Sequence, residues 1–189
     1  MSSVKQPDID GGDMMAVLDR WPVSRETRDR LAAYASLVRT WQKHINLVAP
    51  STLPTLWSRH IEDGLWLDSV AGPVRHWADI GSGGGFPGLV LSIMLKGQDG
   101  VHVWLIDSLG KRCRFLQEVV DELALPATVI NGRAEAQSVT VDIVTARAVA
   151  PLEKLLGYAQ PYFERGAQGL FLKGEKAETE VAAARSSWR

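Results

Sequence analysis

The stretch from Trp77 to Gly88, which reads W-A-D-I-G-S-G-G-G-F-P-G, has residue types and spacings that suit the binding of a ligand. A short apolar run ends here in an acidic residue and three alternating glycines: Asp79, Gly81, Gly83 and Gly85. Glycine is needed where the backbone takes positive φ or lies against a ligand. A helix that begins directly afterwards points its free N–H groups toward the same place. The stretch therefore predicts a strand, a tight turn and a helix that bind an adenosine-containing cofactor.

The same glycines fit a dinucleotide-binding loop only in part. Gly81 and Gly83 match the first two glycines of the G-x-G-x-x-G fingerprint, but its third glycine would fall on Phe86. Asp79, in front of the first glycine, favours a cofactor with a charged amino acid end. S-adenosylmethionine has an ammonium group and a sulfonium and carries no phosphate. We therefore predict S-adenosylmethionine as the cofactor, with Asp79 and the three glycines among its contacts.

The ends of three further predicted strands place polar groups near this turn. Asp107 ends the second strand, where a carboxylate can accept hydrogen bonds from both ribose hydroxyls, can cap the next helix, or can do both. Ala134 and Glu135 follow the third strand, where a backbone group and a carboxylate are placed to bind the adenine amine. Arg147 follows the fourth strand, at the edge where a target base would meet the methyl donor. We predict that Arg147 orients the reactants.

The segment after the fourth strand argues against other methyl-transfer chemistries. Amino-group methylases of adenine or cytosine usually carry a polar residue, two prolines and an aromatic residue there, whereas this chain reads A-R-A-V-A-P. Pyrimidine C5 methylases need a nucleophilic cysteine. The single cysteine, Cys113, lies inside a predicted helix near Phe115, which favours packing over nucleophilic attack. No Cys and His spacing indicates a zinc site, so no metal ion is predicted.

Alternating strands and helices must position these residues. From Trp77 onward, apolar runs and helical patterns alternate, which is typical of a parallel α/β sheet. We predict a Rossmann-like class I methyltransferase sheet, mostly parallel, in residues 75–189, preceded by a helical extension in residues 1–74, the two forming one compact unit. The predicted strands are Trp77 to Ile80, His102 to Ile106, Ala127 to Ile130, Asp142 to Thr145 and Leu170 to Leu172, and the predicted helices between them include Leu89 to Leu95 and Lys111 to Leu123.

Helical spacing of apolar residues dominates the N-terminal part. A short helix is predicted from Met14 to Asp19, and Ser24 is predicted to cap a longer one, which ends where Asn46 to Pro50 breaks the pattern. Ser51 or Thr52 can cap the next helix, on which His60 and Asp63 share a face; His60 is either a packed structural residue or a site residue. Five basic residues lie mainly off the apolar stripe of the longer helix, and they form either a solvated face or a face that contacts RNA. They are Arg25, Arg28, Arg30, Arg39 and Lys43.

The composition is that of an ordinary globular domain. Of the 189 residues, 46% are hydrophobic and 23% are charged, and the formal net charge of −1 does not indicate a nucleic-acid binder. With Cys113 alone, an intrachain disulfide is excluded and a reducing cytoplasm is expected. No apolar run approaches the length that spans a membrane. RNA binding would therefore need a local basic face, for which the residues near the crevice are Lys111, Arg112, Arg114, Arg133, Arg147 and Lys173.

Several motifs together resemble one known family. The chain carries N-L-V-A, R-H-I-E-D-G-L, D-I-G-S-G-G-G-F-P-G, D-S-L-G-K-R, G-R-A-E, V-T-A-R-A-V-A-P-L and L-K-G in that order, over roughly Gln42 to Gly174. In this it resembles the RsmG (GidB) family of bacterial 16S rRNA guanine-N7 methyltransferases. The resemblance implies S-adenosylmethionine as donor, a guanine of 16S rRNA as acceptor, and cofactor contacts at Gly81, Phe86, Ala134, Glu135 and Arg147. We expect RNA contacts at Lys111, Arg112, Arg133, Lys173, Asn46 and His60.

Two departures from the family pattern bear on activity. The motif R-H-x-x-D-S is usual in the family, whereas Gly64 stands here in place of the serine. This methyltransferase class also normally adds a sixth and a seventh strand, which we expect to be missing from this chain. The first departure removes any role for a hydroxyl group at that position.

The chemistry implied for guanine N7 needs little from the protein. N7 carries a lone pair and no proton, so we expect no general base, and proximity and orientation should supply most of the catalysis. Phe86 is the expected wall of the base pocket, because an aromatic face tolerates the positive charge that moves onto the guanine.

A small-molecule methyltransferase on the same fold is the alternative function, and a nucleotide-binding module or a dehydrogenase is a third hypothesis. We expect the partner to be 16S rRNA or the small ribosomal subunit. We expect the protein to be a monomer in the cytoplasm that does not associate with a membrane.

Overall fold

Five parallel strands organise residues 11–188, the part of the chain that the computed structural model describes. The strand order is β3-β2-β1-β4-β5, and every neighbouring pair is parallel, so the predicted α/β sheet is confirmed and is parallel throughout. No helix among the described residues is both long and apolar enough to cross a membrane. The strands are β1 His76–Ile80, β2 His102–Asp107, β3 Ala127–Asn131, β4 Ile143–Arg147 and β5 Gln168–Leu172, and the helices are α1 Gly11–Arg20, α2 Arg25–Gln42, α3 Glu62–Ala71, α4 Gly88–Met94, α5 Gly110–Glu122, α6 Leu152–Phe163 and α7 Ala177–Ala184.

The strand order sets where a ligand can bind. β1 pairs with β2 on one side and with β4 on the other, so the chain reverses direction across the sheet at β1. In open α/β sheets, ligands bind outside the carboxyl ends of the strands at such a switch point. The loops that follow β1, β2 and β4 therefore meet at one crevice. Those loops begin after Ile80, Asp107 and Arg147.

The N-terminal helices differ from the predicted ones mainly at their boundaries. Ser24 caps α2 as predicted, because its hydroxyl accepts the backbone N–H of Thr27 at 3.1 Å. The predicted cap at Ser51 or Thr52 is wrong: a 3-10 turn, Pro50–Thr55, begins after Ala49, and the Thr52 hydroxyl donates to the Ala49 carbonyl at 2.7 Å. A π-helical turn, Trp57–Ile61, then leads into α3. Proline at the start of the 3-10 turn has no N–H to satisfy, which is why the turn begins there.

Two apolar clusters lie on the two faces of the sheet. The larger one contains Trp77 and Leu105 from the strands together with side chains from α2 to α5, such as Leu31 and Phe115. The smaller one contains alternate strand residues and the inner face of α6. Because the side chains of a strand alternate between the faces, β1 contributes Trp77 to one cluster and Ala78 to the other. The larger cluster includes side chains from both sides of the predicted boundary between residues 74 and 75.

Gly64 allows α3 to approach α4 closely. A Cβ atom at this position would lie 2.6 Å from the Cβ of Val90 and 3.4 Å from the carbonyl oxygen of Pro87. Val90 is fully buried, and its Cβ cannot move without moving the backbone of α4. The glycine that replaces the family's serine is therefore required here by helix packing.

We expect Gly64→Ser to lower the free energy of unfolding by about 1–3 kcal/mol, the range for overpacking of a filled core. Urea titration followed by circular dichroism measures it. Gly157→Ser is the matched control, because Gly157 lies inside α6 and a Cβ there meets nothing within 4 Å. Equal stability of the two variants would show that α3 and α4 can separate without cost.

Candidate functional site

A cavity of about 290 Å³ opens at the carboxyl ends of β1, β2, β3 and β4. Its volume is at the lower end of the range for small-molecule sites. Six of the predicted site residues line it: Gly81, Asp107, Arg112, Arg133, Ala134 and Glu135. The remaining lining residues are Ile106, Ser108, Leu109, Gly132, Ala148, Val149 and Tyr158.

The glycine turn after β1 has the predicted backbone conformation. Gly81, Gly83 and Gly85 have φ of 69°, 57° and 88°, values that other residues rarely adopt. The N–H groups of Gly81 and Ser82 both donate to the carbonyl of Ile106, at 2.8 and 3.0 Å, which fixes the turn against the end of β2. The prediction of a tight turn that needs glycine is therefore confirmed.

The three glycines meet different surroundings. A Cβ on Gly83 would meet only the Gly81 carbonyl, at 3.7 Å, so this position faces open space. A Cβ on Gly85 would collide with the Leu89 side chain and the Tyr34 hydroxyl. Gly85 therefore lies against the protein interior, and it does not line the cavity. Close packing, and not contact with a ligand, explains why this position needs a glycine.

Asp107 joins the glycine turn to the start of α5. Its Oδ2 accepts the N–H of Gly83 at 2.9 Å, and its Oδ1 accepts the N–H of Leu109 at 2.8 Å. Arg112 lies 3.8 Å from the same carboxylate. Each carboxylate oxygen can accept more than one hydrogen bond, so the carboxylate shapes the turn and retains acceptor capacity at the cavity. The two predicted roles, capping and ligand binding, are compatible in this geometry.

Asp79 lies beneath the turn, away from the cavity. Its side chain is fully buried, and Oδ2 accepts the N–H of Gly88 at 3.1 Å, whereas Oδ1 has no partner among the described residues. Burial raises the pKa of this carboxyl to about 7. The predicted direct contact between Asp79 and the cofactor does not fit this arrangement, because the buried carboxyl group does not reach the cavity. The first N–H group of α4 is likewise directed at Asp79 and not at a ligand.

Arg147 holds together residues from two distant parts of the chain. One guanidinium nitrogen, Nη1, donates to the carbonyl of Arg59 at 2.9 Å and to Oδ2 of Asp63 at 3.1 Å, and Nη2 contacts Nδ1 of His60. Its Cζ lies 5.4 Å from the centroid of the Phe86 ring. Its ion-pair partner is therefore Asp63 on α3, whose side chain is partly exposed.

A second cavity, of about 690 Å³, lies on the other side of the β4–α6 loop. Arg147 lines this cavity and not the first one, which corrects its predicted place among the cofactor contacts. Ala148 lines both cavities. The two cavities therefore meet at the end of β4. The others that line the second cavity are Ser58, Arg59, Asp63, Leu172, Lys173, Gly174, Glu175, Lys176 and Glu180.

His60 is a buried neutral histidine that supports Arg147. Because Arg147 donates to Nδ1, that nitrogen must be the acceptor, and Nε2 carries the proton that reaches the Thr52 hydroxyl at 2.7 Å. Burial and the neighbouring charge of Arg147 lower the pKa of His60 to about 4. With 8% exposure and both nitrogens occupied, His60 has no free polar atom for RNA. The structural interpretation of His60 therefore replaces the predicted RNA contact.

Phe86 lies underneath this cluster. Its ring centroid is 5.2 Å from that of Tyr34 and 5.1 Å from that of His60, and only 4% of the residue is exposed. The predicted open wall of a base pocket is therefore covered by His60 and Arg147. Phe86 acts as the platform on which the guanidinium group of Arg147 rests.

The predicted RNA contacts fall into two groups. Lys111, Arg112 and Asn46 line a groove between the end of α2 and the start of α5, and Arg112 also lines the first cavity, as does Arg133. Lys173 differs, because its ammonium group lies 2.6 Å from Oε2 of Glu180 and donates to the Ala150 carbonyl at 2.9 Å. It is therefore a bonded, largely buried cation, and the prediction that it contacts RNA does not fit its position.

Several lining residues were missed by the sequence reasoning. Leu109 is 52% exposed beside the first cavity, and Val149 and Tyr158 also line it. The position of Leu109 directly after the strand-ending D-S is the one signal that could have indicated it. Cys113 is buried and its Sγ lies 3.2 Å from the Asp107 carbonyl, which agrees with a packing role. No group of His, Cys, Asp or Glu residues within residues 11–188 could hold a metal ion.

Comparisons with known proteins agree on one class. Residues 27–189 match the family model described as rRNA small subunit methyltransferase G. Proteins named ribosomal RNA small subunit methyltransferase G are 46% identical to this chain in Rhodopseudomonas palustris (strain BisB5), over 99% of the chain and 81% of the relative, and 49% identical in Caulobacter vibrioides (strain NA1000 / CB15N), over 84% and 73%.

Two solved structures show the same fold. The SAH-bound methyltransferase PaMTH1 of Podospora anserina superposes with a TM-score of 0.59 at 12% identity, over 98% of this chain and 86% of that one. Cofactor-bound Rv0187 from MTB gives a TM-score of 0.59 at 19% identity, over 96% and 84%. At these identities the likeness establishes the methyltransferase-type architecture of the sheet.

Proposed function

The chain belongs to the rRNA small subunit methyltransferase G family, and on that premise we propose that it transfers the methyl group of S-adenosylmethionine to N7 of a guanine in 16S rRNA. The observation that carries the proposal is the pair of cavities that meet at Ala148. One presents the turn and carboxylate of a cofactor site, and the other presents Arg147. A donor and an acceptor bound in the two cavities would meet at the end of β4.

The first cavity fits S-adenosylmethionine by the chemistry of its donors and acceptors. Asp107 offers carboxylate oxygens for the ribose hydroxyls, and Ala134 and Glu135 offer a backbone group and a carboxylate for the adenine. Gly83 faces open space that a side chain would fill. We propose Gly81, Gly83, Asp107, Ala134 and Glu135 as cofactor contacts, with Leu109 and Val149 as apolar walls. When bound, the cofactor supplies an electrophilic methyl group on a sulfonium.

The protein's contribution to methyl transfer is placement. Guanine N7 has no proton to lose, so no side chain must act as a base, and the partly exposed Arg147 in the second cavity is placed to orient the target nucleotide. Its guanidinium plane is fixed by Asp63, His60 and Phe86. A neutral His60 can accept a hydrogen bond from Arg147, whereas a protonated one would repel it. With its pKa lowered to about 4, His60 is neutral at neutral pH and can accept this hydrogen bond.

The partner, the assembly and the location follow from the same proposal. We propose that 16S rRNA, free or in the small subunit, is the substrate, that the protein acts as a monomer, and that it works in the cytoplasm, where that rRNA is found. We retain the division into a helical extension, residues 1–74, and a methyltransferase core, residues 75–189. The apolar cluster shared by α2, α3 and the sheet supports one compact unit.

The test is transfer of labelled methyl from S-adenosylmethionine to 16S rRNA, presented free and in the 30S particle, followed by nucleoside analysis. We expect 7-methylguanosine from one of the two substrates. Label at another atom of guanine, or in another nucleoside, would refute the N7 assignment. Label only in small molecules added in place of RNA would support the alternative small-molecule methyltransferase.

RNA binding is expected to depend on salt through Lys111, Arg112 and Arg133. Each lost phosphate contact should reduce the slope of log affinity against log salt by about 0.7 to 0.9, so the triple alanine variant should reduce that slope by about 2 to 3. The matched control replaces Arg25, Arg28 and Arg30 on α2, which removes the same charge. If the control variant flattens the slope and the first variant does not, the RNA-binding face lies on α2.

A further inference from the structure

The loop between β4 and α6, residues 148–151, is the wall shared by the two cavities. Ala148 lines both, and Val149 lines the first cavity and lies so close to the turn that a Cβ on Gly81 would be 2.6 Å from its Cγ2. Ala148 has a φ of 55°, which is disfavoured for a residue with a side chain. The loop therefore holds a conformation that Ala148 does not favour, and contacts with residues outside the loop offset that cost.

Two residues outside the loop hold its C-terminal half. Oε2 of Glu180, on α7, accepts the backbone N–H of Leu152 at 2.7 Å, just past the C-terminal end of the loop. The same oxygen lies 2.6 Å from Nζ of Lys173, which donates in turn to the carbonyl of Ala150 at 2.9 Å. One ion pair, between the residue that follows β5 and a residue of α7, thus anchors two backbone groups. We refer to Glu180 and Lys173 as the latch.

The latch is partly shielded from water. The side chains of Lys173 and Glu180 are 17% and 24% exposed, and the hydrogen bond from Lys173 lowers the pKa of Glu180. A shielded, charge-assisted hydrogen bond is stronger and more directional than an exposed one. The other acidic residue in the first turn of α7, Glu178, is exposed and has no bond to the loop. The contacts with the loop are therefore specific to Glu180 and are not a general property of the acidic helix start.

We propose that Glu180 and Lys173 are positioning residues that hold the β4–α6 loop closed against the cofactor cavity, acting through Leu152 and Ala150. This rests on the proposed function, because it takes the first cavity as the site of S-adenosylmethionine. With the latch broken, the left-handed conformation at Ala148 relaxes, Val149 leaves the cavity wall, and the bound cofactor dissociates faster. Neither latch residue needs to touch the cofactor or the RNA.

The experiment measures binding of S-adenosylmethionine and of its demethylated product by calorimetry, and dissociation of the product by stopped flow, without RNA. Glu180→Ala and Lys173→Met are each expected to weaken binding about tenfold, mainly through faster dissociation. The double variant should resemble either single variant, because one ion pair carries both effects. Glu180→Gln keeps an oxygen for Leu152 and should lose less. Glu178→Ala, on the same helix, is the matched control and should bind as the parent does.

Two results would contradict the proposal that Glu180 and Lys173 hold the loop. Equal affinity and equal dissociation rates in the parent and in folded Glu180→Ala would show that the loop keeps its position alone. Additive losses in the double variant would show that the two residues act separately. If Glu180→Ala melts below the assay temperature, Glu180→Gln and Lys173→Met decide on the same criteria. Absence of binding by the parent itself would refute the proposed cofactor, and so the two failures are distinguishable.

Discussion

Asp107→Asn is expected to weaken the binding of S-adenosylmethionine at least a hundredfold, equivalent to about 2.8 kcal/mol. The carboxylate already accepts the N–H groups of Gly83 and Leu109. An amide has one acceptor oxygen, and its NH2 group would face one of those N–H donors. The turn would then be displaced, and the acceptors for the ribose hydroxyls would be lost with it. Hydrogen bonds to a charged group contribute about 1.5–3 kcal/mol, so losing more than one accounts for the expected effect.

The matched control for this variant is Asp142→Asn. Asp142 also accepts two backbone N–H groups at the end of the sheet, from Arg75 at 3.0 Å and His76 at 2.8 Å, but at the amino ends of the strands, away from the cavities. Both N–H groups bond to the single oxygen Oδ2 of Asp142, which the amide oxygen of asparagine can replace, so Asp142→Asn should lose less thermal stability than Asp107→Asn. Only Asp107→Asn should lose affinity in calorimetry. Parent-like affinity in folded Asp107→Asn would reduce Asp107 to a structural residue.

Arg147→Lys should lower the rate of methyl transfer at least tenfold, about 1.4 kcal/mol in the barrier. Lysine keeps the charge but has no planar group that can bond to the Arg59 carbonyl, Asp63 and His60 while it rests on Phe86. The affinity for S-adenosylmethionine should change much less, because Arg147 lines the second cavity. Single-turnover transfer to the rRNA substrate, with calorimetry of the cofactor alongside, separates the two effects.

Arg165→Lys is the matched control for the loss of a stacked arginine. The Cζ of Arg165 lies 5.5 Å from the centroid of the Tyr162 ring, and its guanidinium donates to the carbonyls of Gln137 and Val139. Its replacement should cost similar stability without affecting transfer. If the two variants transfer methyl at the same rate, the guanidinium of Arg147 has no role in placing the acceptor.

Much of the proposed cofactor cavity was predictable because local rules determine its backbone. Alternating glycines before a helix require a turn, and Asp107 ends a strand beside β1, so a parallel sheet must bring the two together. The same reasoning placed Ala134 and Glu135 correctly at the edge of this cavity. Gly85 shows the limit of the rule, since the pattern cannot distinguish a glycine that faces a ligand from one that faces Leu89 and Tyr34.

The acceptor side was less predictable because it depends on contacts between distant segments. His60 and Asp63 meet Arg147 across more than eighty residues of sequence. Spacing on one helix showed that the first two share a face but gave no partner for them. Lys173 was expected on the surface because a lone lysine usually is, and only the docking of α7 gives it Glu180. For Lys173, charge alone therefore indicated an RNA-contacting cation where the structure has a closed ion pair.

The contact of α2 with the glycine turn has a consequence for what ligand binding can report. The Tyr34 hydroxyl donates to the carbonyl of Gly84, and the Trp41 indole donates to Glu118 on α5 at 2.8 Å. These bonds join residues that are 50 and 77 positions apart, so they exist only when α2 is docked. A ligand that binds at the turn therefore reports that the N-terminal helix α2 is in place.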